Sequence, residues 1–547
     1  MKTKEDFAAA CQALGKNDPR RTHLNLVEYG SLIDPKRVQQ VVRALEKNTF
    51  VEDLTFSANL CVNSILQFNH FLKTSPSLQR LEIQGKSQGT DQDDFKDAIR
   101  AGIVCESISR SSVLVSLTLD DVLLGDYCPL EGLLSSTRTL SEFNYSKSNS
   151  TMTHQVAQAI GGGLAKNKSL VKLSWSNTYQ GVDFLEEILF GLCDHISLKT
   201  LELRAQLTKT SSVALRSLLH FNGRLETLAL TQLEDHEKIP TMVSVLAGLA
   251  QNTGLKNFSF ESYSRGTIAT LATLATAWIN LLQRNTSITM LDLRKDDWDL
   301  DADADCVLSS AVAEGLVTNS TLETLYLPGW LTLNRQFFHG PVWQEMLGNN
   351  RCLKKLCFPG CPISLEGFEC LARGLSHNTS LESLTLSSTN MRDDCFISLV
   401  NGLRTNKTLK YLDLSSNSAL GQSGRAAIEQ LIGYNVLKEL NLANNTDSVG
   451  ASILASGLSD NHSLEMLDLE GALVDGSETF RALCETLRGN TTLRHMDVRN
   501  NDMLLDDVCV TALKLDTILW RRLISVTTLL PVVESQRLLK ACKDHVL

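Results

Sequence analysis

No stretch of this chain stays apolar for the roughly 18–20 residues a helix needs to cross a bilayer. Met1–Gly15 carries Lys2, Lys4, Glu5 and Asp6 among its alanines, so it lacks the apolar stretch of a secretory leader. A basic excess is also missing. Lys and Arg number 52 against 62 Asp and Glu, for a net charge of −10 and a pI near 5.6. That balance excludes a general nucleic-acid or anionic-membrane binder, which needs a basic stripe. Histidines are few, 11 in all, with no H-E-x-x-H, and no G-x-S-x-G is present. The triplet Gly161-Gly162-Gly163 runs on as Leu-Ala-Lys-Asn-Lys-Ser, which is not the spacing of a phosphate-binding loop. The expected compartment is the cytosol or nucleus, where the 14 cysteines read as reduced thiols.

What the chain does have is a repeat, N-x-[ST]-L-x-x-L-x-L. Its clearest copies are Asn378-Thr-Ser-Leu381-Glu-Ser-Leu384-Thr-Leu386 and Asn406-Lys-Thr-Leu409-Lys-Tyr-Leu412-Asp-Leu414. Two more are Asn461-His-Ser-Leu464-Glu-Met-Leu467-Asp-Leu469 and Asn490-Thr-Thr-Leu493-Arg-His-Met496-Asp-Val498. The first Leu recurs at positions 322, 353, 381, 409, 437, 464 and 493, then more loosely at 170, 198, 225 and 255, with Ile288 in the same place. Degenerate copies start at Val51, Leu78, Leu114 and Leu140, giving about 17 units. A fixed period of this size marks a stack of one small unit that cannot bury its apolar face alone. The Asn-x-Ser/Thr sequons at Asn167, Asn285, Asn319 and Asn378 fall inside the repeat and read as consensus, not as glycan sites.

Each unit changes period. L-x-L is a short strand of period two, and segments such as Gly367–Leu375 space their apolar residues by three and four, as a helix does. The Asn before the next strand suits a helix C-terminus. These residues resemble the ribonuclease-inhibitor type of leucine-rich repeat. That consensus places Asn or Cys three residues after the last strand Leu, and Asn417, Asn445, Asn501 and Cys361 stand there; Trp330, Leu233, Ala472 and Gln206 replace it elsewhere. The resemblance implies an α/β solenoid, a horseshoe or arc with a parallel sheet on the concave face and α-helices on the convex face. Residues 1–20 are expected to form a helical N-terminal cap, using Phe7, Ala10, Cys11 and Leu14. Residues 21–505 form the solenoid, and 506–547 a helical C-terminal cap broken at Pro531.

Two clusters invite metal chemistry and fail on spacing. Cys352, Cys357, Cys361 and Cys370 fall on different faces of the repeat, whereas zinc needs converging ligands. Asp296, Asp297, Asp299, Asp301, Asp303 and Asp305 alternate like a calcium loop. Leu308 or Ser310 stands where the loop's Glu belongs, so an acidic lead-in to a helix is the plainer reading. No metal, cofactor or catalytic set is expected.

The remaining surface is the open sheet face, onto which the residues between strand leucines project. The candidates for partner contact are Arg204, Asp292, Arg294, Tyr326, Tyr411, Asp413, Glu439, Asp468, Glu470, Asp497 and Arg499. Asp413, Asp468, Glu470 and Asp497 fall on neighbouring late strands, which suits a protein partner with a basic surface. The expected function is a monomeric, non-enzymatic protein-binding scaffold or regulator. The similar repeats of Ran-type GTPase-activating proteins and of immune-receptor sensors supply the alternatives, the first weakened by the missing acidic tail.

Overall fold

The computed structural model describes residues 2–57, 62–85, 102–109, 111–122, 124, 130–147, 152–177, 184–232, 238–262, 271–293, 302–327, 340–417, 420–445, 449–472, 477–497 and 501. The chain is a leucine-rich-repeat solenoid divided into two compact units: Met1–Gly266 with Asn285–Ile288, and Thr267–Arg284 with Thr289–Leu547. Among expected features, Arg294, Arg499, most of the Asp296–Asp305 run and the 506–547 cap lie outside the described residues.

The first unit carries β1 (His23–Asn25), β2 (Asp53–Ser57), β3 (Arg80–Gln84), β4 (Ser116–Asp120), β5 (Glu142–Lys147), β6 (Lys172–Asn177), β7 (Thr200–Ala205), β8 (Thr227–Gln232) and β9 (Asn257–Ser262). Each pairs in parallel with the next, and strand leucines face strand leucines: Leu173 meets Leu201, which meets Leu228. The second unit carries β10 (Met290–Asp292), β11 (Thr324–Tyr326), β12 (Lys355–Cys357), β13 (Ser383–Thr385), β14 (Tyr411–Asp413), β15 (Glu439–Asn441), β16 (Met466–Asp468) and β17 (His495–Asp497). These also pair in parallel and in order. Most described strands are followed by a helix, Leu365–His377 and Asp393–Leu403 for example. The strand leucines are buried and the residues between them are mostly half-buried, so helices cover one sheet face only. The N-terminal helix Lys4–Gly15 buries Phe7, Ala10 and Leu14 and leaves Cys11 half-buried.

The asparagine of N-x-[ST]-L does something its helix-terminal position does not announce. It sits at the helix end in extended backbone, at φ −74° in Asn378 and −71° in Asn167. Its side chain is buried and ties neighbouring repeats together. In Asn378, Oδ1 accepts from the N–H of Ser380 and Leu381, while Nδ2 donates to Leu347 O of the preceding repeat at 2.7 Å. Asn222, Asn252, Asn350, Asn406 and Asn490 repeat this, each also donating to the carbonyl of the residue that holds this place in the preceding repeat. A buried amide that meets both its donor and acceptor needs stabilises the stack, whereas an apolar residue there would strand backbone groups of two repeats.

Early in the chain Ser75, Ser111 and Thr137 hold the place before Leu78, Leu114 and Leu140, and two later positions also break the ladder. His195 takes the place in the first unit; its Nδ1 accepts from Leu198 N–H at 3.1 Å and its Nε2 has no hydrogen-bond partner. In the second unit Tyr434 stands three residues before Leu437, and the asparagine has slipped to 435. Asn435 adopts φ 56° and bonds outward, to Gly433 O, Asp460 O and the N–H of His462.

Gly161 and Gly163 lie buried in the helix His154–Lys166. A Cβ on Gly161 would stand against the Glu187 carbonyl oxygen, and one on Gly191 against the Gly161 carbonyl oxygen, both well inside van der Waals contact. The glycine triplet therefore lets helices of neighbouring repeats approach closely.

Candidate protein-binding surface

On the open face of the second unit the strand pairing creates two rows. One runs Met290, Thr324, Lys355, Ser383, Tyr411, Glu439, Met466 and His495. The other runs Asp292, Tyr326, Cys357, Thr385, Asp413, Asn441, Asp468 and Asp497. The acidic candidates thus share a row, with one interruption: Asn441 stands between Asp413 and Asp468. Asp468, Glu470 and Asp497 bring carboxylate oxygens to within 4.8 Å of one another. Asp497 is 7% exposed, deeper than an open-face position suggests.

The aspartates have a local task. Asp413 Oδ1 accepts from Ser415 N–H at 3.0 Å, and Asp468 Oδ1 from Glu470 N–H at 3.1 Å, which closes each strand end. Asn441 does the same for Ala443 N–H at 2.9 Å, and Asn25 for Val27 N–H at 3.0 Å. Since a neutral amide suffices, the negative charge at 413 and 468 exceeds what the turn requires.

Tyr411 lies among these groups, half-buried. Burial, then the charges of Asp413 and Glu439, push its phenol up to about 12. Met466 is 42% exposed beside it in the row, one strand beyond Glu439. Tyr326 is already occupied, with the Lys355 ammonium 5.2 Å from its ring centre.

The open face of the first unit differs. Its charges are spent internally: His23 and Arg80 flank Asp53, Lys172 and Ser174 hold Glu202, and Gln84 holds Glu82. Burial of Glu202 opposes ionisation, and the bonds from Lys172 and Ser174 outweigh it, so its carboxyl falls below the usual range. Arg204 is exposed on β7, in register with Ser176 and Thr231, and belongs to this unit. Asp292, Tyr326, Tyr411, Asp413, Glu439, Asp468, Glu470 and Asp497 belong to the other.

A feature not anticipated is a charge ladder at the residue just after the first Leu of the repeats from Leu198 to Leu255 and from Leu322 to Leu493. Lys199, Glu226 and Lys256 pair in the first unit. In the second, Glu323 pairs with Lys354, Glu382 with Lys410, and Glu465 with Lys438 and Arg494. The alternation was visible in the sequence as L-[EK]. This rim is self-compensated.

Cys352, Cys357, Cys361 and Cys370 are free thiols, the last three buried. Cys357 is on a strand, Cys361 in the turn after it and Cys370 on the following helix, and they form no metal-binding group among the described residues. Among those residues no helix is long and apolar enough to cross a membrane.

No protein-family model matches the chain, and no curated protein matches it. Among solved structures it is similar to the crystal structure of a Rad7–Elc1 complex from yeast. The match has 15% identity and a TM-score of 0.30, covering 91% of this chain and 90% of that one. At that score the likeness carries no functional weight.

Proposed function

We propose that this protein is a non-enzymatic binding scaffold whose second unit engages a protein partner across β14–β17, through Tyr411, Asp413, Glu439, Met466 and Asp468. The carrying observation is the excess charge: Asn441 closes its strand end as well as Asp413 and Asp468 close theirs, so the strand-end turn does not ask for their carboxylates. Like charges on adjacent strands cost some stability, and a lysine- or arginine-bearing surface offsets that cost. Aromatic and methionine side chains beside the acids supply contact area of the kind that anchors interfaces. The rim salt bridges offer a partner little, since both members are already paired.

The test is capture of partners from native cells by the wild type and by the Asp413→Asn/Asp468→Asn double variant, which keeps both strand-end hydrogen bonds. A basic protein retained by the wild type and lost by the variant, at equal unfolding midpoints, supports the reading. Equal capture by both, or no protein above background, refutes it.

A further inference from the structure

Of the ten large apolar side chains left exposed among the described residues, the four most exposed crowd into one stretch of the first unit: Phe190 at 54%, Ile196 at 56%, Val213 at 50% and Phe221 at 68%. Val213, Ser217 and Phe221 follow at intervals of four along the helix Lys209–Phe221, and Ser217 Oγ donates to Val213 O at 3.0 Å, so the three share a face. Phe190 is on the preceding helix, Leu185–Leu192, which packs against that one. It stands eight residues before Leu198, as Ser217 stands eight before Leu225, so the repeat sets it beside Ser217, between Val213 and Phe221. Ile196 follows His195, whose carbonyl accepts from Asn222, the residue after Phe221. The outer face of a helix ordinarily carries polar residues, and an apolar patch rimmed by charge marks an interaction surface.

The rim has two signs, one to each helix. The earlier helix and its end carry Glu186, Glu187 and Asp194, with no Lys or Arg between positions 184 and 195. Glu187 is already held by His154 at 3.0 Å, which leaves Glu186 and the exposed Asp194 to face outward. The later helix and its end carry Lys209, Arg216 and Arg224, all exposed, with no Asp or Glu between 207 and 224. A surface that fits this patch therefore has an apolar centre, bases on one side and acids on the other. The patch itself answers that description once it is turned over.

We propose that the protein pairs with a second copy of itself through the helices Leu185–Leu192 and Lys209–Phe221. A twofold axis running along the two helices and between them lays the acidic helix of one copy over the basic helix of the other, and the same contact forms twice. Phe190 of each copy then meets the Val213–Phe221 stripe of the other, while Glu186 and Asp194 approach the bases that flank it. The charges set the register and the aromatic rings supply the buried area. The pairing takes nothing from the acidic row of the second unit, and it departs from the monomer expected on sequence.

Sedimentation equilibrium of the full chain at low salt tests this. The wild type should approach twice the 60.3 kDa of one chain as its concentration rises. Phe190→Asp and Phe221→Asp, each at a residue more than half exposed, should weaken the dimer about tenfold or more at an unchanged urea midpoint. Glu186→Lys and Arg216→Glu should each weaken it too, and the double variant, which exchanges the two signs, should regain most of the loss. A wild type that stays monomeric up to about 100 µM overturns the pairing. So does a dimer indifferent to both phenylalanine variants, which uses another face. A double variant no tighter than either single one overturns the crossing of acidic on basic helix. A monomer that instead binds phosphatidylcholine–phosphatidylserine vesicles, and loses them with Phe221→Asp, gives the patch to a lipid surface and overturns the second copy as its occupant.

Discussion

Replacing His195 with Asn should leave stability nearly unchanged at neutral pH and raise it by about 2 kcal/mol at pH 5. His195 is 3% exposed, and burial holds its imidazole well below the ordinary 6.5, at about 4. The sign follows from where each state takes up its proton. The unfolded chain protonates His195 as pH falls through about 6.5, whereas the folded chain does so only near 4. The stability contribution is therefore complete above 6.5 and lost as pH falls from there toward 4. At about 1.4 kcal/mol per pH unit, the interval from 6.5 to 5 amounts to about 2 kcal/mol. Asparagine does not titrate, so this loss disappears. It also offers an Nδ2 to the preceding repeat, as Asn222 does to Leu192 O and His195 O. That bond contributes about 1 kcal/mol. The smaller side chain leaves a space of a few tens of Å³, at a cost of about 1 kcal/mol, so the two effects cancel at neutral pH. Urea unfolding followed by circular dichroism at pH 7 and pH 5 measures the difference, since all other titrating groups are common to both proteins. If the wild type loses no more stability than the variant between those two pH values, the account of His195 as a neutral ladder residue is wrong.

Other expectations follow from the same packing. Asn378→Ala strands Leu347 O and the N–H groups of Ser380 and Leu381, and should cost about 3 kcal/mol by denaturant titration; a loss under 1 kcal/mol would demote the ladder. Gly161→Ala drives a methyl into the Glu187 carbonyl and should destabilise the first unit by about 2–3 kcal/mol, read as a lowered urea midpoint. Lys438→Ala breaks the 2.8 Å rim pair with Glu465, both partners exposed to solvent by a third or more, and should leave the urea midpoint nearly unchanged. Asp468→Asn keeps its strand-end bond and relieves repulsion in the row, so thermal unfolding should show equal or slightly higher stability.

The repeat is a pattern the eye can follow because its spacing is set by burial. Leucines two apart fall on the covered face of a strand, so the residues between them fall on the open face, where Tyr411 stands in register with Glu439. The row formed by Asp413, Asp468 and Asp497 was legible for the same reason, but its interruption by Asn441 emerged only when the strand order put β15 between them. The Asn of N-x-[ST]-L was seen, but not its cross-repeat bonds, since a local pattern does not say which carbonyl a side chain reaches 31 residues away. The breaks were written in the spacing all the same: His195 stands three residues before Leu198, whereas Asn435 stands two before Leu437. The Gly161–Gly191 approach was not legible, because it depends on how closely two helices from different repeats settle.

The buried ladder amide has a chemical corollary. Asn167, Asn285, Asn319, Asn378, Asn406, Asn461 and Asn490 each begin an Asn-x-Ser/Thr triplet, and each is 8% exposed or less. An oligosaccharide transferred to any of them while the chain was still unfolded would replace an Nδ2 hydrogen with a bulky sugar. The donor to the neighbouring repeat would be weakened or lost, and the side chain could not re-enter the stack. The residues that lock successive repeats together would, under such decoration, become the points at which the stack fails to form.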